Sequence, residues 1–304
     1  MHFSYSHSRS LTVHTPAKLN LFLSIDDKRP DGFHDITSLM LSVGIYDTLV
    51  FTEEPSTEVA LSVAEANSLQ PGTPQDQQIP CGEDNLVVRA IRLLQAKTGT
   101  EQGIRIQLIK RIPAEAGLGG GSSDAAAALF AANQLWRLGL SPEELRCLAA
   151  ELGSDISFFL SESNGAVCRG RGELIEPVFV PQCLHFVVVR PSTGLSTADV
   201  YRQCRVGTHS NHQIDRLVHN LASGHLHSLS TLMLNDLQAP AEKLNSEILI
   251  LKDYFSKQSV LGHMMSGSGT AYFGVCQNRA HASQIAARLR STVKGHVFVV
   301  QNRL

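Results

Sequence analysis

The sequence predicts an α+β fold. Its strand-like and helix-like stretches come in groups and do not alternate strictly, and two glycine-rich turns sit beside those groups, one before an alanine-rich helix and one before an apolar strand. Strict alternation would have argued for a doubly wound parallel sheet; grouping argues for segregated helices and sheets. With 304 residues, 43% of them apolar and 18% charged, the chain has enough apolar material for a sizeable core.

The elements follow from periodicity and punctuation. Residues 11–25 alternate and are rich in β-formers, with Pro16 interrupting the run, and residues 38–54 read as a second strand-rich stretch. Residues 65–84 are polar and rich in Pro and Gln, so a loop is expected. Residues 85–99 carry apolar positions at helical spacing and end in Gly99, a C-cap residue type. Residues 103–113 alternate as a strand; residues 122–139 form an alanine-dominated helix that Gly139 should close. In residues 141–153, Ser141, Pro142 and Glu144 supply an N-cap, a first-turn proline and the third-position acid of a capping box. A buried strand over 184–192, mostly helix over 197–258, a glycine turn running into a strand over 263–276, a helix over 279–291 and a closing strand complete the chain. Pro177 and Pro181 bracket the start of a strand, which places a boundary between segments 1–180 and 181–304.

Bulk properties exclude several functions. The formal net charge of −2 is interspersed and leaves no basic stripe for a nucleic acid backbone. The polar N-terminus lacks an apolar signal region, and no run of about 18 apolar residues occurs, so a soluble, cytoplasmic protein with no membrane partner is expected. The six scattered cysteines lack a C-x-x-C pair and read as reduced thiols. His209, His212, His225 and His227 have suggestive spacing, but no Cys or carboxylate cluster completes a zinc site, and helix and turn histidines are the expectation.

The chemistry-bearing feature is Pro113-Ala114-Glu115-Ala116-Gly117-Leu118-Gly119-Gly120-Gly121-Ser122-Ser123-Asp124, between a strand and the alanine-rich helix. Four glycines in five residues allow successive backbone N–H groups to turn toward one anion, and a helix N-terminus adds partial positive charge. The hydroxyls of Ser122 and Ser123 can add bonds to phosphate oxygens. No lysine follows the glycines, which excludes a P-loop. A dinucleotide fingerprint starting at Gly117 lacks its third glycine and its downstream acid.

These residues resemble the second signature of the GHMP kinases. Two further segments match in order: Pro-Ala-Lys-Leu-Asn-Leu-Phe-Leu with Arg-Pro-Asp-Gly-Phe-His, within residues 15–36, resembles the first signature, and residues 264–275 resemble the third. The triple glycine and the Arg-Pro-Asp-Gly-Phe-His segment resemble the branch that acts on a cytidine-diphosphate sugar alcohol, and the similarity runs from about residue 12 to 300. The resemblance implies the GHMP kinase fold: an N-terminal nucleotide domain like domain 2 of ribosomal protein S5, and a C-terminal α+β domain. It also implies transfer of the γ-phosphoryl group of ATP to an alcohol, with Mg²⁺ bridging phosphates.

It assigns residues as well. Asp155 would accept the hydroxyl proton; on sequence chemistry alone it could equally be the N-cap of residues 156–160. Lys18 would stand beside the acceptor hydroxyl; alone, it could be a snorkelling surface lysine. Asn20, Asp31, Phe33 and His34 would form the wall for the cytidine end, with Tyr201 as a second aromatic face, and core or surface packing is the competing role for the two aromatics. Asn85 and Lys110 would frame the adenine, and Ser266, Gly267, Ser268 and Gly269 would support the nucleotide loop. Phe33 departs from the tyrosine common in the branch, and Glu115 places a carboxylate where phosphates should pass, so it must point away or meet a cation. Another GHMP kinase of phosphomevalonate or homoserine type, or a non-catalytic nucleotide-binding protein on the same fold, are the competing readings.

Overall fold

The computed structural model describes residues 1–7, 9–65, 79–161, 163–207 and 211–302. In chain order the elements are strands β1 (His2–His7), β2 (Ser10–Lys28), β3 (His34–Glu54) and β4 (Val59–Glu65), helix α1 (Leu86–Thr98), strand β5 (Gly103–Lys110), and helices α2 (Gly120–Leu135), α3 (Pro142–Leu152) and α4 (Ile156–Leu160). They continue with strands β6 (Gly165–Arg169), β7 (Leu174–Pro177) and β8 (His185–Pro191), helix α5 (Thr197–Gln203), helix α6 (Asn211–Ser223) and a 3₁₀ turn at Leu226–Ser228. Last come α7 (Leu229–Leu232), β9 (Leu234–Asn235), α8 (Gln238–Leu244), α9 (Ser246–Ser256), β10 (Gly262–Met265), β11 (Tyr272–Cys276), α10 (Arg279–Thr292) and β12 (Gly295–Gln301).

The chain groups into two compact units that interleave along the sequence. The first comprises residues 1–17, 45–112 and 119–162; the second comprises 18–44, 113–118 and 163–304. Strands β2 and β3 each contribute one end to either unit.

In the first unit β1 pairs antiparallel with the start of β2, the end of β3 pairs antiparallel with β5, and β5 pairs parallel with β4. Helix α2 packs against α1, α3 and α4 and is buried along nearly its whole length, which is why its sequence is alanine with little amphipathic pattern. The caps fall where the sequence placed them. The Asn85 side chain accepts from the Val87 N–H, Gly99 takes the left-handed conformation at φ 70°, and Ser141 and Glu144 form a reciprocal capping box.

In the second unit the start of β3 pairs with β6, β6 with β7, and the end of β2 pairs parallel with β9. A separate antiparallel sheet runs β10-β11-β8-β12. Its core joins Val187, Val189, Met265 and Tyr272 of that sheet to Leu251 and Phe255 of α9 and to Ile285 and Leu289 of α10.

Several expectations need correction. Pro16 does not interrupt its strand: β2 runs through it, because extended backbone tolerates proline's φ and the pairing of β1 with β2 ends at His14, before the position that lacks an N–H. Gly139 does not close α2. The helix starts two residues earlier than expected, inside the glycine run, and ends at Leu135; Arg137 turns to φ 55°, and the Asn133 side chain bridges to both the N–H and the C=O of Leu140. Strands β1, β4, β6 and β7 are short or polar on one face and carried no clear signal. Within the loop expected at 65–84, residues 66–78 lie outside the described residues, as does His209. The six cysteines are free thiols. Among the described residues no helix is long and apolar enough to cross a membrane, and no group of three or more His, Cys, Asp or Glu is placed to hold a metal ion.

Candidate active site

In the second unit the first and third signatures meet around Lys18. This lysine is only 3% exposed, so it is not a snorkelling surface side chain. Its Nζ donates to Asn20 Oδ1 at 2.5 Å, and its backbone N–H donates to the Leu118 carbonyl at 2.9 Å. Asn20 is fully buried: its Nδ2 donates to Ser38 Oγ at 2.8 Å, and Ser38 Oγ donates on to the Phe22 carbonyl. The asparagine amide is thereby oriented with its oxygen toward the ammonium.

The turn between β10 and β11 closes over this pair. Ser266 Oγ donates to the Gly117 carbonyl at 3.0 Å, and the Ala271 N–H donates to the Ala116 carbonyl at 3.0 Å. A side chain on Gly117 would overlap the Ser266 carbonyl oxygen, and Gly117 has φ 71°, so both space and backbone demand glycine there. A Cβ on Gly267, at φ 55°, would lie 3.1 Å from Lys18 Nζ. Asn235 Nδ2 donates to the carbonyls of Met265 and Gly267, at 2.9 Å each, and Ser268 Oγ is 2.8 Å from Thr197 Oγ1. Gly269 N–H donates back to the Ser266 carbonyl, which tightens the turn.

Pro113–Leu118 therefore rests on the third-signature turn through main-chain and serine contacts. Glu115 adopts φ 49°, and the cation required by its charge is Arg190, which is largely buried and interacts electrostatically with both Glu115 and Glu247.

The cytidine-wall candidates lie in the same unit. Phe33 is 52% exposed, which rules out core packing, and the Arg171 guanidinium stands 5.0 Å from its ring centroid. Asp31 accepts the Phe33 N–H at 3.1 Å and pairs with Arg29, which also reaches Asp35. His34 and Tyr201 have ring centroids 5.4 Å apart at 37°, and Tyr201 also packs against the core of this unit. Partial burial, with Lys28 nearby, lowers the His34 pKa and favours the neutral imidazole, which can both donate and accept.

In the first unit Gly119 occupies the N-cap of α2 at φ 71° and offers no side-chain cap. The first N–H groups of a helix have no intrahelical partner, so Gly120, Gly121 and Ser122 present donors at the positive end of the helix dipole. Ser122 is partly exposed. Ser123 requires correction: its hydroxyl is buried, bonded to the Pro16 carbonyl and to the Thr15 hydroxyl, and does not reach toward an anion.

Lys110 is buried between Asp47, at 2.5 Å, and Asp124, at 2.8 Å. The Asn85 side chain caps α1 and donates to the Pro80 carbonyl at 2.7 Å. Asp155 stands at the N-cap position of α4, but its side chain makes no capping hydrogen bond, so the N-cap role proposed by its local sequence is not performed.

Sequence reasoning missed Asp47, Ser38 and Arg171. Asp47 carried a readable signal, a carboxylate inside an apolar strand; the others became visible only through their partners.

The profile described as "GHMP kinases N terminal domain" matches residues 85–163, and that described as "GHMP kinases C terminal" matches residues 217–295. The chain is 38% identical over 283 residues to the 4-diphosphocytidyl-2-C-methyl-D-erythritol kinase of Pelotomaculum thermopropionicum, covering 93% of this chain and 94% of that one. The enzyme of the same name from Desulfitobacterium hafniense is also 38% identical, with 93% and 92% covered. The chain belongs to the 4-diphosphocytidyl-2-C-methyl-D-erythritol kinase family of GHMP kinases. A crystal structure titled 4-(cytidine 5'-diphospho)-2C-methyl-D-erythritol kinase superposes with TM-score 0.77 at 32% identity, covering 96% of this chain and all of that one. A homoserine kinase from Cytophaga hutchinsonii superposes with TM-score 0.75 at 19% identity, a likeness of fold. Membership of this kinase family makes the chain an ATP-dependent small-molecule kinase with the α+β GHMP architecture.

Proposed function

We propose that the chain transfers the γ-phosphoryl group of ATP to the 2-hydroxyl of 4-diphosphocytidyl-2-C-methyl-D-erythritol, a step in making isoprenoid precursors. The observation that carries the nucleotide half is the start of α2: a helix N-terminus opening in a glycine run, with no side chain capping it. The names of relatives identical at 38% over nearly the full length support the choice of alcohol.

In this reading the backbone N–H groups of Gly119 to Ser122 hold the phosphates, with Pro113–Leu118 braced by Ser266–Gly269. Phosphoryl transfer depends chiefly on positioning and on stabilising charge. The substrate oxygen forms a bond to the γ-phosphorus, the bond from that phosphorus to the β–γ bridging oxygen breaks, and ADP leaves. Asp155 accepts the hydroxyl proton. Lys18, oriented by Asn20, stabilises the negative charge that grows on the attacking oxygen. Phe33, His34 and Tyr201 hold the pyrimidine, with Asp31 fixing the backbone at Phe33. Asn85 and Lys110 act near the adenine and beneath the loop.

Bound Mg²⁺ would neutralise phosphate charge. It would draw most of its oxygen ligands from phosphates and water, and the partly exposed Ser122 hydroxyl is the loop side chain that could add one. A cytoplasmic location and a small-molecule partner set without nucleic acid belong to the same proposal. A division into 1–180 and 181–304 belongs to the same proposal; it falls in the stretch between the two profile matches, which end at 163 and begin at 217, while the compact units interleave along the chain.

The test is a coupled ADP-release assay offering 4-diphosphocytidyl-2-C-methyl-D-erythritol, phosphomevalonate and homoserine. ADP release with the first alone is the expected result; turnover of homoserine alone would overturn the substrate assignment, and ATP binding without transfer to any alcohol would support a non-catalytic protein.

A further inference from the structure

Beneath the first turn of α2 lies a buried cluster of three charged groups. Lys110, the last residue of β5, directs Nζ at both Asp47 Oδ2 and Asp124 Oδ2. Asp47 Oδ1 accepts the backbone N–H groups of Arg111, at 2.5 Å, and Ile112, at 2.9 Å, the two residues that lead from β5 into the glycine loop. All three charged side chains are at most 7% exposed. Two carboxyl groups share one ammonium, and Asp124 Oδ1 is buried with no hydrogen-bond partner. A cluster so costly to bury is hard to explain as a stability device, since apolar replacements of buried ion pairs are often neutral or stabilising.

The geometry gives it another task. A Cβ on Gly120, the first residue of α2, would lie 3.1 Å from Lys110 Nζ and 2.9 Å from Ile112 Cγ2. The ammonium therefore sits directly behind the helix turn whose N–H groups are assigned to the phosphates. Asp47 fixes the chain where the strand ends, and Asp124 fixes it where the helix begins. Lys110 connects the two across the intervening loop.

We propose that Asp47, Lys110 and Asp124 form a positioning cluster that sets the orientation of the first turn of α2 for nucleotide phosphates, with Asp124 acting through Lys110. The inference deepens the nucleotide half of the proposed function and does not depend on which alcohol is phosphorylated. Only the Nζ–carboxylate tie is needed for the positioning, so an amide at residue 124 can replace the carboxylate as acceptor.

The experiment measures ATP affinity of the full chain by calorimetric titration without any alcohol, with thermal melts confirming that each variant is folded. Asp124→Ala and Lys110→Met should each weaken ATP about 10-fold or more, and the double variant should be no worse than Lys110→Met alone, the signature of two residues acting as one unit. Asp124→Asn should stay within about 3-fold of wild type. In turnover assays the losses should fall on KM for ATP, with kcat changed less than about 3-fold. Unchanged ATP affinity in folded Asp124→Ala and Lys110→Met, or additive losses in the double variant, would overturn the proposal. Should the alanine variant not fold, Asp124→Asn decides: a 10-fold loss of affinity there would also overturn it. Because ATP binding is read without the alcohol, failure of the substrate assignment would show in the ADP-release assay and leave this result standing.

Discussion

Ser266 Oγ donates a 3.0 Å hydrogen bond to the carbonyl of Gly117, and a side chain at Gly117 would overlap the Ser266 backbone. Two glycine turns almost 150 residues apart in sequence are thus fitted to each other without room for a methyl group. Gly117→Ala should therefore lower kcat/KM for ATP by at least about 10²-fold and destabilise the fold by about 1–3 kcal/mol, since a non-glycine residue at positive φ adds strain to the overlap. Steady-state kinetics and urea unfolding measure the two effects; wild-type ATP kinetics would show that the loop does not depend on this fit.

Lys18→Met and Asp155→Asn should each reduce kcat by at least about 10²-fold while ATP still binds, in keeping with loss of a charge-stabilising or proton-accepting group. ADP-release kinetics paired with ATP titration distinguish this from loss of binding. Near wild-type turnover in both variants would remove them from the mechanism.

Phe33→Ala should raise KM for the cytidine substrate about 10-fold with little change in kcat, because an exposed ring that contributes stacking acts on binding and not on transfer. Its effect on stability should be small, since the ring is half exposed. Loss of kcat with KM unchanged would argue against a stacking role.

Asp124 should make stability depend on pH. Burial, aided by Asp47 and opposed by Lys110, raises its carboxyl to about 7 from an ordinary 3.8. Between those values the folded state holds a proton that the unfolded chain has released, so the contribution is fully present below about 4 and is lost as pH rises through about 7. Wild type should lose stability over that range relative to Asp124→Asn, which has no such proton to lose. Urea midpoints for both proteins at pH 5 and pH 8 check this, and parallel behaviour would refute it.

Much of the local structure was legible because its causes are local. The Asn85, Gly99 and Ser141–Glu144 caps act within one helical turn, and the alternation of β5 reports the two faces of one strand. Gly139 misled because the end of α2 is set by the Asn133 side chain reaching Leu140, a bond that composition does not announce. Pro16 misled because its tolerance depends on whether a partner strand needs its missing N–H, and the pairing with β1 stops at His14, short of it. Ser123 misled for a tertiary reason too: a serine beside a glycine run looks free for a ligand until its hydroxyl donates to the Pro16 carbonyl of a strand more than 100 residues away.

The sequence by itself determined the caps, the alanine helix, the glycine loop and, through three ordered signatures, the kinase family, because each is written in residue types at short spacing. Tertiary structure decided which of the marked side chains are committed internally. It buried Lys18 against Asn20, left Phe33 exposed, kept the Asp155 side chain from capping α4, and set Lys110 between two carboxylates. Charge, burial and hydrogen-bond partner are properties of neighbours brought together by folding, and a linear pattern carries no record of them.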